Sequence, residues 1–265
     1  MKDILAAFTF FTRLPFWRIS AIPADSFKRM VCYWPMVGWL TGGLMAGVFW
    51  ISWQFFPGTV AVLLVFISRL LLTGALHEDG LADFIDGMGG GRTRERVLEI
   101  MKDFSIGSYG VLGLILYVAL WVSSVVHFSN QLPPLAVCVC LFTGDIWSKW
   151  CASQLINLLP YARKESEAKN KTVYEHMSFS GFLAGAGCAL FPFFLILILK
   201  PYNWFFIDFL WSFRIAYLTP IITMGILVIY MKKCIKGYTG DCCGATFLIC
   251  ELLYLLTIPV LWKFI

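Results

Sequence analysis

The sequence contains few charged residues for its length. Only 14% of its 265 residues are Asp, Glu, Lys or Arg, whereas 59% are hydrophobic. Because a soluble domain carries about 25% charged residues, this composition excludes an ordinary water-soluble domain. Long apolar runs with few charges are typical of membrane helices of roughly 20 residues. The net charge of +5 is modest, and we expect no nucleic-acid partner.

Signatures of several other protein classes are also missing. The nine cysteines include no pair of CxxC motifs, so a zinc site is not expected. There is no Walker A sequence, which argues against ATP hydrolysis by a P-loop. No internal repeat is evident, which weighs against a transporter built from duplicated halves. The N-terminal apolar stretch is short and aromatic and has no cleavage site, so we expect it to be retained.

Seven apolar segments are long enough to cross a membrane. They are predicted at residues 31–56, 59–76, 108–128, 133–159, 181–200, 212–231 and 246–264. We therefore expect an all-α, polytopic membrane bundle that forms a single domain over residues 1–265, with eight spans if the N-terminal segment also enters the bilayer.

Lysine and arginine are concentrated on one side of this arrangement. They lie in the N-terminal segment and in the loops at residues 77–107, 160–180 and 232–245. With seven spans these four regions share one side, and the positive-inside rule places that side in the cytoplasm. We therefore expect a cytoplasmic N-terminus and a cytoplasmic active-site loop at about residues 77–107.

Four charged residues fall within the predicted spans, namely Arg69, Asp145, Lys149 and Glu251. Because a charge exposed to lipid costs several kcal/mol, these side chains should face one another or water. Asp145 and Lys149 are four residues apart and can pair on one helix face. Two interpretations stay open: a structural pair that joins helices, and a polar cavity that opens to the cytoplasm.

An acidic segment, "HEDGLADFIDG" at residues 77–87, ends the second predicted span. Asp79, Asp83 and Asp86 have i, i+4, i+7 spacing, which places them on one face of a helix. Mg²⁺ takes oxygen ligands from a few carboxylates and leaves room for substrate phosphates. We therefore predict a Mg²⁺ site at these three residues, with Asp103 as a further ligand. The alternative is an acidic, solvated loop that balances the nearby arginines.

The glycine-rich loop that follows is suited to a phosphate. Four glycines between residues 87 and 91 allow a tight turn and close approach of the backbone to a ligand. Thr93 is expected to cap a short helix. Three arginines of this region can neutralise phosphate oxygens through their bidentate fork: Arg92, Arg94 and Arg96. Metal-binding acids, glycines and arginines together indicate phosphoryl transfer.

Two further polar segments lie on the same side. The segment "KGYTGDCCGA" at residues 236–245 offers Thr239 and Asp241 to a nucleotide or metal, although a plain helix-capping loop explains it nearly as well. Arg163 can contact phosphate, although anchoring at the membrane surface is the default interpretation. Two more residues, His77 and Lys149, complete the predicted substrate-binding set.

These segments resemble the cobalamin synthase family (adenosylcobinamide-GDP ribazoletransferase). The resemblance rests on "FFTRLP" (10–15), "GALHEDGLADFIDGMGG" (74–90), "LEIMKD" with "IGSYG" (98–110), "PYAR" (160–163) and "GYTGDCCGA" (237–245). The sequence departs from the family at three places. Phe104 and Ser105 stand where the family has a serine and an arginine, Lys149 replaces an arginine, and residues 164–166 replace Glu-Gly.

The resemblance implies the last assembly step of the cobamide nucleotide loop. The implied reaction joins adenosylcobinamide-GDP to α-ribazole or α-ribazole 5′-phosphate, requires Mg²⁺ and releases GMP. It implies a protein of the prokaryotic cytoplasmic membrane, and self-association is a further expectation. We predict that Asp83 is one of the catalytic residues. We also predict that Arg92 or Lys102 stabilises the departing GMP and that Asp86 or Glu78 accepts the hydroxyl proton.

Two rival functions remain at this stage. "DFIDG" at residues 83–87 loosely resembles the motif of CDP-alcohol phosphotransferases, which would imply a CDP-linked lipid substrate; this is analogy only. A cation-coupled transporter would place its carboxylates near the bilayer midplane on broken helices. The aspartates here are predicted at a helix end beside a glycine-arginine loop, so transport is the less favoured alternative.

Overall fold

The chain is built from α-helices. The computed structural model describes residues 1–163, 173–199 and 212–262, and these ranges contain no β-strand. Two short 3-10 helices, Phe16–Arg18 and Met30–Tyr33, accompany the α-helices. The α-helices are α1 (Lys2–Phe11), α2 (Ala24–Arg29), α3 (Trp34–Phe55), α4 (Gly58–Thr73), α5 (Leu76–Gly90), α6 (Arg94–Ile100), α7 (Ser108–Ser129), α8 (Pro134–Ser153), α9 (Leu155–Leu158), α10 (Phe179–Leu199), α11 (Leu218–Cys234) and α12 (Gly240–Trp262).

Six or seven helical segments of the described chain are long and apolar enough to cross a membrane. The seventh exists if α4 and α5, which are bent by 91° at their junction, form one broken span. The all-α membrane bundle of about seven spans is therefore confirmed. The six unbroken segments are Ala24–Phe55, Ser108–Ser129, Pro134–Leu158, Phe179–Ile196, Ser212–Cys234 and Gly240–Leu261.

The start of the last predicted span is wrong by six residues. We expected a loop up to residue 245, but α12 begins at Gly240 because Thr239 caps it and its small residues allow it to pack against another helix. The described residues omit residue 200 and residues 263–264 of the predicted spans. They also omit Lys164 and residues 165–166, where the sequence departs from the family. The side of the membrane that holds the N-terminus stays a prediction.

A sharp bend between α4 and α5 redirects the chain ahead of the acidic segment. Gly74 (φ +67°) and Ala75 (φ +57°) both adopt the left-handed conformation, which glycine reaches without a steric penalty. The side chain of Arg13 packs directly on this bend, since a Cβ placed on Gly74 would lie 2.5 Å from Arg13 Nε. The acidic helix α5 therefore runs nearly perpendicular to α4.

Helix α8 lies at the centre of the bundle. In the most apolar 18-residue stretch of Pro134–Leu158, 78% of residues are buried, compared with 17% in the corresponding stretch of α10. Helix α3 packs on it through Gly38 and Gly42, where an added Cβ would lie 2.8 Å from Ile146 Cα and from the Phe142 carbonyl oxygen, respectively. This GxxxG spacing brings two membrane helices into backbone contact.

The first buried ionic cluster surrounds Arg69, as the charges within the predicted spans led us to expect. Arg69 forms ion pairs with Glu251 and with Glu78 (3.0 Å) and donates a hydrogen bond to the Tyr117 hydroxyl (2.8 Å). Trp121 Nε1 donates to Glu251 (3.1 Å). This cluster joins α4, α5, α7 and α12 inside the bundle.

The second cluster joins α3 and α8. Lys149 and Asp145 are fully buried and form an ion pair. Thr41 donates a hydrogen bond to Asp145 and accepts one from Lys149 (2.9 Å). The Lys149 ammonium also lies 4.1 Å from the centre of the Phe247 ring. The partners of Lys149 thus favour the first interpretation, a structural pair that joins helices.

Candidate functional site

Helix α5 carries the predicted metal ligands on one face. Asp79, Asp83 and Asp86 all lie within this regular helix, so their spacing aligns them along one stripe. Their exposure falls along the stripe. Asp79 is exposed, Asp83 is half-buried and Asp86 is buried. The three carboxylates therefore share a face of the helix but differ in their exposure to solvent.

Asp86 holds the beginning of helix α7. Its two carboxylate oxygens accept hydrogen bonds from the backbone N–H groups of Gly107 (2.7 Å) and Gly110 (2.8 Å). A Cβ on either glycine would overlap the carboxylate, so only glycine allows this approach. An acidic side chain at a helix N-terminus satisfies N–H groups that have no partner within the helix and interacts favourably with the helix dipole.

Asp103, the fourth predicted metal ligand, lies in the exposed loop after α6. One of its oxygens accepts hydrogen bonds from the Ser105 backbone N–H (3.1 Å) and hydroxyl (2.9 Å). These bonds lower the pKa of Asp103 below its usual value because they stabilise the ionised form. Asp103 and Asp86 both line a pocket of about 340 Å³.

The residues of α5 fit a magnesium ion only in part. Across residues 1–163, 173–199 and 212–262, no three His, Cys, Asp or Glu side chains converge closely enough to hold a metal by themselves. Mg²⁺, however, is commonly bound through one or two carboxylates together with substrate phosphates. Asp79 and Asp83, one helical turn apart on the more open part of the stripe, match that donor set.

Glu78 and His77 point into the bundle. Glu78 is buried and paired with Arg69. The His77 ring is buried and stacks on Trp34, with ring centres 5.6 Å apart, and Phe247 packs edge-on against it at 4.9 Å. Neither His77 ring nitrogen has a hydrogen-bond partner within the described residues. Both side chains are therefore remote from solvent.

Helix α6 begins as the sequence predicts. The Thr93 side chain caps it by accepting a hydrogen bond from the Arg96 backbone N–H (3.3 Å). The exposed Arg96 side chain pairs with Glu99 (2.7 Å), and Arg92 and Lys102 are exposed. These three cations lie at the surface, where a phosphate can reach them.

Arg94 and Arg163 instead bind the backbone of the protein. Arg94 donates to the carbonyl oxygens of Ile235 (2.9 Å) and Ala162 (2.6 Å). Arg163 donates to the Leu98 carbonyl oxygen of α6 (2.9 Å). The two arginines thus tie α6 to two distant loops, a use of charge that sequence spacing does not reveal.

These two loops also pair with each other. A single parallel β-bridge links Tyr161 with Tyr238, with hydrogen bonds from Ala162 N–H to the Tyr238 carbonyl (2.8 Å) and from Tyr238 N–H to the Pro160 carbonyl (2.9 Å). The two tyrosine rings meet edge to face, 5.4 Å apart. Burial raises the pKa of Tyr161 above its usual value, so this phenol is neutral at physiological pH.

The start of α12 lies directly against the acidic helix. Thr239 accepts a hydrogen bond from the Cys242 backbone N–H (3.4 Å), which is the capping role left open by the sequence. A Cβ on Gly80 would lie 3.2 Å from Asp241 Cα, so α12 packs closely on α5 at Gly80. The backbone of Asp241 therefore contacts the acidic helix at the residue that follows Asp79, whereas Lys149 is buried in the second ionic cluster.

The family model described as cobalamin-5-phosphate synthase matches residues 3–259. The chain belongs to this family. A relative named adenosylcobinamide-GDP ribazoletransferase from Shewanella sp. (strain ANA-3) is 35% identical over 253 residues, which cover 94% of this chain and 90% of the relative. Relatives with the same name from Leptospira interrogans (32% identical; 97% and 95% covered) and Shewanella amazonensis (34%; 99% and 96%) match equally widely. No solved structure matches the chain.

The segments that suggested the cobalamin synthase family meet around α5. "PYAR" and "GYTGDCCGA" pair through the Tyr161–Tyr238 bridge, and "LEIMKD" is bonded by Arg163. "IGSYG" supplies the two glycine N–H groups that bind Asp86, and "FFTRLP" places Arg13 on the bend before α5. Segments up to more than 200 residues apart in the chain thus converge on one helix.

Proposed function

We propose that the chain is a membrane-embedded transferase that joins adenosylcobinamide-GDP to α-ribazole or α-ribazole 5′-phosphate and releases GMP. The observation that carries this proposal is the match to relatives named for that activity over more than nine-tenths of the chain. The acidic face of α5, flanked by exposed cations, supports the same reaction class, since phosphoryl transfer depends mostly on positioning and charge stabilisation.

The bond changes of this reaction are simple. A ribose hydroxyl oxygen of ribazole forms a bond to the phosphorus that carries cobinamide. The bond from that phosphorus to the oxygen of the GMP phosphate breaks, and its electron pair leaves with GMP. The hydroxyl proton passes to a carboxylate of the α5 face. Asp83 is the better placed acceptor, because it is half-buried whereas Asp86 and Glu78 are buried.

Asp79 and Asp83 are the residues that would hold Mg²⁺ together with the diphosphate of the substrate. The ion, when bound, would neutralise phosphate charge and act as a Lewis acid. Arg92, Arg96 and Lys102, which are all exposed on α6 or next to it, would bind phosphate oxygens and stabilise the charge on GMP. Arg94 and Arg163 position α6 rather than contact phosphate.

The location of the reaction is a further part of the proposal. The concentration of lysine and arginine in the loops at residues 77–107 and 232–245 supports a site that faces the cytoplasm of a prokaryotic cytoplasmic membrane. Reporter fusions at the N-terminus test this orientation. Reporter activity specific to the far side of the membrane contradicts it. Chemical crosslinking in the membrane tests self-association.

Purified protein in lipid or detergent tests the activity. With adenosylcobinamide-GDP, α-ribazole and Mg²⁺, we expect adenosylcobalamin and GMP in equal amounts. A parallel reaction with a CDP-linked lipid in place of the corrinoid tests the rival phosphotransferase function. The proposal is contradicted if the second reaction releases CMP while the first reaction forms no adenosylcobalamin.

A further inference from the structure

A pocket beside α6 is built by Arg94 and Arg163, each of which bonds the backbone of the opposite segment. Arg94 and Arg163 fix the two walls of this pocket, which is about 600 Å³ in volume, by bonding the backbone of the opposite wall. One wall is α6, which contributes Leu98 and Glu99, and the other is the segment that contains Tyr161. The pocket therefore exists only while α6 is docked on the Tyr161–Tyr238 bridge.

The volume and charge of this pocket favour a nucleoside. Pockets of roughly 300–1,000 Å³ hold drug-sized ligands, so this one accepts a nucleoside but excludes a corrin macrocycle. Its lining includes three cations and two acids, and two of the cations, Arg94 and Arg163, already donate to backbone carbonyls. Three positive and two negative side chains leave a net charge of only +1 to face a diphosphate, and one of the cations, Lys102, is the residue proposed above to stabilise the departing GMP. An uncharged nucleoside needs no positive charge.

Tyr161 gives this pocket an aromatic surface. Its ring is half-buried, held by Tyr238 on one side, and lines the pocket. Aromatic side chains bind bases by stacking, because every base has a π-face. The exposed carboxylate of Glu99, at the rim of the pocket, can accept hydrogen bonds from ribose hydroxyls.

The pocket also adjoins the acidic face of α5 by two routes. Glu99 lines both this pocket and the smaller one that contains Asp86 and Asp103. On the other side, Tyr238 is three residues from Asp241, whose backbone touches Gly80 of α5. A ligand in the pocket can therefore present a hydroxyl group toward the carboxylates.

We propose that the pocket between α6 and Tyr161 binds the acceptor nucleoside, with its aromatic base on the Tyr161 ring and its ribose directed toward α5. This inference rests on the proposed transferase function and assigns one of its two substrates to a defined site. The corrinoid nucleotide then approaches the more open part of the acidic face of α5, at Asp79 and Asp83.

Steady-state kinetics with both substrates test this assignment. Tyr161→Leu should raise the KM for α-ribazole about tenfold, the size expected for loss of one base–aromatic stack, and change the KM for adenosylcobinamide-GDP less than about twofold. Tyr161→Phe keeps the ring and should behave as the wild type. Tyr230→Leu, a matched change on the exposed side of α11, is the control and should alter neither KM.

Filling the pocket provides an independent test if Tyr161→Leu fails to fold. Leu98→Trp keeps the backbone carbonyl that Arg163 uses and should abolish α-ribazole binding measured by calorimetry, without adenosylcobinamide-GDP present. Wild-type protein that makes no GMP rejects the proposed function itself. Active wild-type protein whose variants lose affinity for adenosylcobinamide-GDP instead, or whose bound α-ribazole is displaced by GMP, overturns the assignment of this pocket.

Discussion

Replacing Asp86 with asparagine tests whether its carboxylate has a structural or a catalytic role. Both oxygens of Asp86 accept backbone N–H groups at the start of α7, at 2.7 and 2.8 Å. Asparagine keeps the size but presents one oxygen and one NH₂ group, so either Gly107 or Gly110 loses its acceptor. A hydrogen bond to a charged group contributes about 1.5–3 kcal/mol, and a buried unpaired donor costs about 1–3 kcal/mol.

We therefore expect Asp86→Asn to lower the free energy of unfolding by about 2–4 kcal/mol. For a chain of this size, that corresponds to a fall of about 5–10 °C in the unfolding midpoint. Thermal unfolding of the purified protein in one detergent measures it, with Asp25→Asn on the exposed surface of α2 as the control. Turnover per folded molecule should stay within about tenfold of the wild type, less than the 10²–10⁴-fold effect of removing a proton-transfer group.

Gly110→Ala should produce a similar loss of stability, because its Cβ would overlap the Asp86 carboxylate. Combined with Asp86→Asn it should add little, since both changes break the same contact. The reasoning is refuted if Asp86→Asn unfolds at the wild-type temperature but loses turnover. That result would return Asp86 to the role of metal ligand or base that its spacing in the sequence predicted.

Three further predictions follow from the same geometry. Arg69→Met leaves Glu251 without its buried ion-pair partner and should destabilise the protein by about 3–5 kcal/mol, seen as loss of the monodisperse peak in size-exclusion chromatography; a wild-type profile contradicts this. Gly42→Leu should separate α3 from α8, since even a Cβ would lie 2.8 Å from Phe142, and lower the unfolding midpoint, whereas Gly47→Leu, where nothing lies within 4 Å, should not. Chelation of divalent cations should stop GMP release and added Mg²⁺ should restore it; turnover that persists in the chelator refutes the metal requirement.

The membrane architecture was accessible from the sequence because long apolar runs leave few alternatives to spanning helices. Its helix boundaries were less accessible. Hydropathy placed the last span after residue 245, but Gly240–Ala245 is helical because it packs closely on α5 at Gly80. The bend at Gly74 also escaped detection, and the Arg13 side chain that packs on it lies some 60 residues earlier in the chain.

The candidate site was predicted in part. Residue spacing correctly aligned the aspartates of α5 but did not show that Asp86 is used by Gly107 and Gly110, because those N–H groups become neighbours only through the fold. Charge pattern likewise could not distinguish a phosphate from a backbone carbonyl as the partner of Arg94 or Arg163. Such contacts depend on tertiary geometry, and the spacing of residues along the sequence does not predict them.

The acidic face of α5 is tested most directly by Asp83→Asn in purified, folded protein. Two quantities are needed: GMP release from adenosylcobinamide-GDP with α-ribazole, and Mn²⁺ binding followed by electron paramagnetic resonance as a probe of the magnesium site. We predict that the variant, compared per folded molecule, releases GMP at least about 100-fold more slowly and binds Mn²⁺ more weakly. Wild-type rates and wild-type Mn²⁺ affinity in that variant would contradict the assignment of this face as the reacting site.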